Sequence, residues 1–275
     1  MSDRRIESWD EFLSAVNTLY EPPPRGDAPA AYVSDLLFRG QSDASWKLET
    51  TLERWAGEGE TLMRYLNDVS VVRSEIESRT GLKWDIPDHD EYHAALTKQK
   101  YGYPRPSQLY EYLVYLRHHG FPSPLLDWTA SPFIAAYFAF RSAQPDCDVA
   151  IFGYREYVGG GKGGQAGGSE VHGLGPYVRS HPRHYLQQSQ YTVCVEGSGA
   201  KRQYISHERV LSEQNTNQDL LWKFTLPGSL RRTALSYLHR HNITAYSLLG
   251  SEESLMESLA VRRYVLKTRP GGRAL

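Results

Sequence analysis

The stretch Leu37-Phe38-Arg39-Gly40-Gln41 sets a permanent cation and a glycine at the end of an apolar run. Just upstream, Tyr32-Val33-Ser34-Asp35-Leu36-Leu37-Phe38 becomes continuously apolar toward its end, the pattern of a strand running into a core. Arg39 is therefore expected at a strand terminus that leads into the interior. A guanidinium there can present its planar fork to a phosphate, and Gly40 would let the backbone approach a ligand closely. The alternative is a structural salt bridge to an internal carboxylate such as Asp127.

Working outward, Ser8-Trp9-Asp10-Glu11 has the form of a capping box, and Trp9, Phe12, Leu13 and Val16 recur at helical spacing. A short first helix and the proline-rich connection after it make up residues 1–30, because Pro22-Pro23-Pro24 cannot continue a helix. Between Leu52 and Arg79, the positions Leu62, Tyr65, Leu66, Val69, Val72 and Ile76 predict one long amphipathic helix with Gly81 at its C-cap. Residues 83–106 are polar and proline-bearing and read as an irregular excursion. His89 and His93 have metal-ligand spacing within it, but no third ligand accompanies them, so no metal site is expected. A helix resumes at Ser107 and stops at Gly120-Phe121-Pro122. Ser131-Pro132 opens another, whose residues to Phe140 are apolar all round and hence buried.

The second half reads as sheet, with strands at Asp148–Tyr154, Gln190–Val195 and Leu220–Leu226 and helices at Ser229–His241 and Ser251–Leu259. The glycine-rich run at 158–168 lacks the Gly-Lys-Ser/Thr ending of a P-loop and reads as a surface loop within a second excursion, 156–170. The expected fold is α+β: a single domain over 31–267, with a mixed, mostly antiparallel sheet core surrounded by helices, and a tail at 268–275.

Charge is balanced, with 31 Lys+Arg against 32 Asp+Glu, so any anion site must be local rather than part of a general field. Two cysteines form no disulfide framework, and there is no apolar leader and no run long enough to span a bilayer. A cytoplasmic location without membrane partners is expected.

Two further stretches combine polar groups with apolar surroundings. In His118-His119-Gly120-Phe121-Pro122-Ser123-Pro124-Leu125-Leu126-Asp127-Trp128-Thr129-Ala130-Ser131-Pro132, Asp127 must be either paired or protonated. Thr129 and Ser131 either cap the next helix or orient a neighbour. His119 is either a general base or a favourable charge at a helix end. In Arg183-His184-Tyr185-Leu186-Gln187-Gln188-Ser189-Gln190-Tyr191-Thr192, the glutamines suit recognition of an amide or ribose hydroxyl, or simply lead into a strand.

Phe38-Arg39-Gly40-Gln41, followed by Trp46-Lys47-Leu48 and Leu52-Glu53-Arg54 and then by the 118–139 block, resembles the FRG domain family. Arg183 with Gln187/Gln188 and Tyr191-Thr192, and the strand at 222–227, are similar to later family segments. Pro124 departs from the pattern, where the family often has arginine. The chain is also distantly similar to ADP-ribosyltransferases of the Arg-Ser-Glu type, which implies an ADP-ribosyltransferase-like fold and NAD as substrate. On that resemblance Arg39 binds the diphosphate, the Gly40 backbone holds the nicotinamide amide, and Tyr137 or Phe138 packs on the ring. Phe38, His119 and Gln187 join them around the dinucleotide, while Thr129 and Ser131 orient the third element at Gln187/Gln188. Because glutamine carries no charge, the implied catalytic set is Arg39, Asp127, Thr129, Ser131 and Gln188 with a carboxylate from Asp127, Glu208 or Glu213. The implied activity is ADP-ribosyl transfer or NAD hydrolysis, of the kind used by toxins and anti-phage effectors. The acceptor and oligomeric state stay open. The neutral glutamines leave a second reading, a non-catalytic sensor or adaptor that binds a nucleotide or a modified protein.

Overall fold

A computed structural model of the chain describes residues 2–21, 34–99, 103, 107–156, 167–179, 182–213 and 219–267, without the side chains of 107, 212 and 213. Its strands are β1 (Ser2–Arg5), β2 (Leu37–Gln41), β3 (Leu126–Thr129), β4 (Asp148–Arg155), β5 (Gly167–Gly173), β6 (Ser189–Gly197), β7 (Gln203–Tyr204) and β8 (Leu220–Pro227). Its helices are α1 (Trp9–Tyr20), α2 (Thr51–Ala56), α3 (Leu62–Thr80), α4 (His89–Lys98), α5 (Ser107–His118), α6 (Pro132–Arg141), α7 (Pro182–Leu186), α8 (His207–Glu213), α9 (Arg231–Arg240), α10 (Ala245–Leu249) and α11 (Glu252–Ala260). The strands form one sheet in the order β1-β8-β4-β2-β3-β6-β5, with β7 beside β6. β1 runs parallel to β8, and the other pairs are antiparallel. The fold is α+β, a mostly antiparallel mixed sheet surrounded by helices.

Strand alternation divides the core. On one face, Phe38, Val149, Ile151, Phe224 and Leu226 pack with α1, α6 and α9. Farther along that sheet, Tyr191, Val193 and Val195 pack with α3, α4 and α5. The opposite face carries Leu37, Leu126, Trp128, Phe152, Tyr154 and Cys194 against Val210 and Leu211 of α8. The two helical clusters on the first face meet where β2 lies beside β3. Among the described residues, no helix is long and apolar enough to cross a membrane.

Several elements differ from the sequence reading. β2 begins at Leu37, so Arg39 sits mid-strand rather than at a strand end, and Tyr32 and Val33 lie outside the described residues. The expected helix from Leu52 to Arg79 is two helices, broken where Gly57 (φ 77°) and Gly59 (φ 89°) adopt positive φ; Gly81 does cap the second in the left-handed conformation. Within the expected excursion at 83–106, α4 forms because Asp88 and Glu91 make a capping box, with His89 and His93 stacked on its exposed side. The segment between Pro122 and Thr129, to which the sequence reading assigns no element, contributes β3. Of the excursion at 156–170, residues 167–170 belong to β5, while 157–166 lie outside the described residues, as do 22–33 and 268–275.

One glycine decides how closely helix and sheet meet. A Cβ on Gly40 would stand 1.9 Å from the Ala135 carbonyl oxygen and 2.7 Å from the Ala139 nitrogen, both backbone atoms of α6. Ser131 caps that helix by accepting from the Ile134 N–H, and Pro132 occupies its first turn. Helix α6 therefore lies directly on β2, with its alanines against the strand. Gly40→Ala should push the two apart and lower stability by about 3 kcal/mol, read as a fall in denaturation midpoint. An unchanged midpoint would contradict the close approach.

Candidate functional site

The site arises from an incomplete ladder. β2 pairs with β4 over five residues and β3 with β6 over four, yet β2 and β3 share one pair, Phe38 with Thr129. Beyond it the strands diverge. Arg39 reaches across this gap, its Nη1–H donating to the Asp127 carbonyl oxygen at 2.9 Å. Arg117, at the end of α5, grips the Asp127 carboxylate through both Nε, at 3.1 Å, and Nη2. Arg39 Nη1 lies 4.0 Å from the same carboxylate.

A cavity of about 700 Å³ opens over this gap. Its wall carries five basic side chains, Arg39, Lys47, Arg54, Arg117 and Arg183, and two carboxylates, Glu49 and Asp127. Trp46 and Phe138 supply rings and Gln41 and Gln187 amides to the same wall. The loop after β2 is stapled in place. Gln41 donates through Nε2 to the Lys47 carbonyl, Ala44 N–H to Asp148, and Lys223 to the Ala44 carbonyl. Two buried polar atoms of residues that line this cavity have no described hydrogen-bond partner: the Arg39 Nε and the Gln41 Oε1. Buried polar atoms are rarely left so.

Burial weakens the hold of Arg39 on its proton and brings its pKa down to about 10; Asp127 opposes the shift, and Arg117 and Arg54 add to it. At neutral pH the guanidinium stays charged, and an approaching anion would relieve its desolvation. For Asp127, burial pushes the carboxyl up, but the charges of Arg117 and Arg39 and the Arg117 hydrogen bonds outweigh it and hold the group below the usual carboxylate range. Asp127 reinforces the charge of Arg117 in return. On the other side of the strands the indole of Trp128 donates to Thr192 Oγ1, which meets His207 Nε2 at 2.9 Å. Burial and the nearby Arg39 push His207 down to about 3, so its ring is neutral and adds no second cation beneath Arg39.

The structure brings Phe38, Arg39, Gly40, Asp127, Thr129, Phe138 and Gln187 to this one cavity. Not all of these serve the cavity with their side chains, and the other expected residues lie elsewhere. Gly40 presents its open side to α6, so close helix packing accounts for the glycine. Thr129 Oγ1 donates to the Gln187 carbonyl at 2.7 Å and accepts from Ser131 N–H, tying the α7–β6 turn to β3. Ser131 acts as the cap of α6. Gln188 is exposed at the turn, with φ 47°, and it is Gln187 that faces the cavity, its Nε2 donating to Leu248. His119 is largely exposed against the Tyr115 ring, its pKa lowered by partial desolvation there and by Arg183, whereas His118 lines the cavity and meets the Tyr191 hydroxyl at 2.8 Å. Tyr137 turns away and donates to Glu257. Glu208 accepts from Leu48 N–H, and Glu213 ends α8 with its side chain outside the described residues. Among the described residues no three His, Cys, Asp or Glu side chains gather in a metal-binding group.

Sequence reasoning missed Arg117, Glu49 and Trp46 as site residues. The signal for Arg117 was the demand of Asp127 for a partner.

Residues 34–147 match the family model of the FRG domain. The match covers less than half of the chain. That segment runs from the approach to β2 through α6 and supplies Arg39, Glu49, Arg117, Asp127 and Phe138. Arg183, Gln187 and Leu249, which also line the cavity, lie beyond it. No curated protein and no solved structure matches the chain.

Asp127→Asn should leave Arg117 uncompensated and cost about 2 kcal/mol. That is less than the roughly 3–5 kcal/mol of a fully enclosed pair, because the carboxylate keeps an open side toward the cavity. A lowered carboxyl pKa stabilises the fold above the unfolded value and ceases to do so as pH falls through the folded one. Denaturation of both proteins across pH should therefore give a full gap above about pH 5 that closes below about pH 4. A gap independent of pH would contradict the pairing.

Proposed function

We propose that the protein binds NAD as substrate in the cleft between β2 and β3 and breaks its glycosidic bond to nicotinamide, as an ADP-ribosyltransferase or NAD glycohydrolase. The observation that carries this reading is the incompletely used guanidinium of Arg39 in a cavity whose basic side chains outnumber its acids. On a chain with formal charge −1, such a local excess favours a compact anion. A diphosphate offers oxygens to Arg39, Lys47 and Arg183 by charge-assisted hydrogen bonds. The rings of Trp46 and Phe138 offer apolar faces for the planar parts of a dinucleotide. The volume, about 700 Å³, is of the size that holds such ligands.

A second reading, a sensor that binds the nucleotide without turning it over, is favoured by one observation. At the turn before β6, where the resemblance to transferases asks for a glutamate, the cavity receives the neutral Gln187.

Calorimetric titration with NAD and ADP-ribose, alongside an assay for nicotinamide release, tests both readings. Arg39→Lys keeps the charge and gives up the fork, and should weaken binding roughly 10- to 100-fold, with a thermal melt checking that the fold survives. Binding with release of nicotinamide supports the enzyme; binding without release supports the sensor. Equal affinity of a folded Arg39→Lys variant, or no binding by the wild type, would overturn the assignment of the cleft.

A further inference from the structure

Heterolysis of the bond to nicotinamide leaves positive charge on the ribose, so a carboxylate in the cleft must be available to face it. Only Asp127 and Glu49 line the cavity as acids among the described residues. Asp127 is committed to Arg117 through both its oxygens and is close to Arg39. Its charge is already balanced. Glu49 differs, because no described donor or cation holds its carboxylate. Yet its backbone is firmly placed. Leu48 on one side is fully buried and donates its N–H to Glu208 at 3.2 Å. Thr50 on the other side is 3% exposed and forms a reciprocal capping box with Glu53 at the start of α2. Leu52 N–H further ties that helix to the Ser123 carbonyl. The backbone of Glu49 is thus held on both sides while its carboxylate keeps an uncompensated charge.

We infer that Glu49 is the catalytic carboxylate of the cleft, facing the ribose of the bound dinucleotide; this rests on the NAD reading above. In the hydrolytic form of the reaction the C1′–N bond breaks and its electron pair goes to the ring nitrogen, turning the pyridinium into neutral nicotinamide. The ribose is left with the positive charge. The Glu49 carboxylate accepts a hydrogen bond from a ribose hydroxyl and stabilises that charge. Water then adds its oxygen to C1′ and releases one proton to solvent, so the products are ADP-ribose, nicotinamide and a proton. In the transfer form an acceptor nucleophile replaces water and gives up its own proton. Gln187, which also lines the cavity, has its amide engaged with the Leu248 carbonyl and positions rather than charges the site.

The test compares wild type, Glu49→Gln and Glu49→Asp for NAD affinity by calorimetry, nicotinamide release under saturating NAD, and thermal melting. Glu49→Gln should bind NAD within about twofold of wild type and melt at the same temperature, while its turnover falls roughly 100- to 1,000-fold. Glu49→Asp keeps the charge on a shorter arm and should recover part of the rate. Unchanged turnover in Glu49→Gln, with wild type active, overturns the role of Glu49 and leaves the NAD reading standing. Wild type that binds NAD without releasing nicotinamide overturns it in favour of the sensor. Wild type that does not bind NAD overturns the functional reading itself. Should Glu49→Gln fail to fold, a folded Glu49→Asp with wild-type turnover and a wild-type pH profile would equally count against it.

Discussion

Where β2 and β3 part, the sheet gives up a run of backbone hydrogen bonds, and the Arg39 guanidinium restores one of them by donating to the Asp127 carbonyl. An uncharged side chain of similar length could make that bond, but it could not also offer unused donors to the space the divergence opens. The remaining features of the site adapt to this bridge. Arg117 holds the Asp127 carboxylate, which keeps β3 in reach; the buried neutral His207 avoids a second charge below; and Gly40 lets α6 lie flat on β2 so that Phe138 closes one wall.

The electrostatics follow from the same arrangement. A balanced chain produces no long-range field, and charges farther apart than about 8 Å are largely screened at physiological salt. The basic residues of the cavity instead act at close range, within low-dielectric walls where their mutual repulsion persists until an anion arrives. The lowered pKa of Arg39 expresses that condition: burial and neighbouring cations disfavour its charge, and only Asp127 offsets them. A ligand carrying phosphate would complete a partly neutralised cluster.

Much of this was legible in the residues, and the failures have physical causes. Capping residues gave helix starts at Ser8 and Ser131, since those bonds are local. Arg39 was recognised, but placed at a strand end, because an apolar run cannot reveal that Gly40 and Gln41 continue the same ladder. The need of Asp127 for a partner followed from its apolar neighbours. The identity of that partner did not, because helix α5 and strand β3 meet through a turn whose geometry is set by tertiary packing. Within the pairs His118/His119, Tyr137/Phe138 and Gln187/Gln188, sequence offered no way to choose, as one residue of rotation on a helix or turn exchanges cavity for surface or core. Trp46 and Glu49 were missed because they sit on an irregular loop with no periodicity to read, held by bonds from distant strands and helices.

An anion receptor and a mere strut between strands demand different behaviour of Arg39. The direct measurement is the ¹H–¹⁵N resonance of the Arg39 Nε, assigned by its loss in Arg39→Lys, during titration with ADP-ribose and, separately, with unphosphorylated adenosine. A receptor should give a saturable downfield shift and slower proton exchange with ADP-ribose, and no comparable change with adenosine. An Arg39 Nε resonance that stays fixed while ADP-ribose saturates the protein would show the guanidinium to be purely structural.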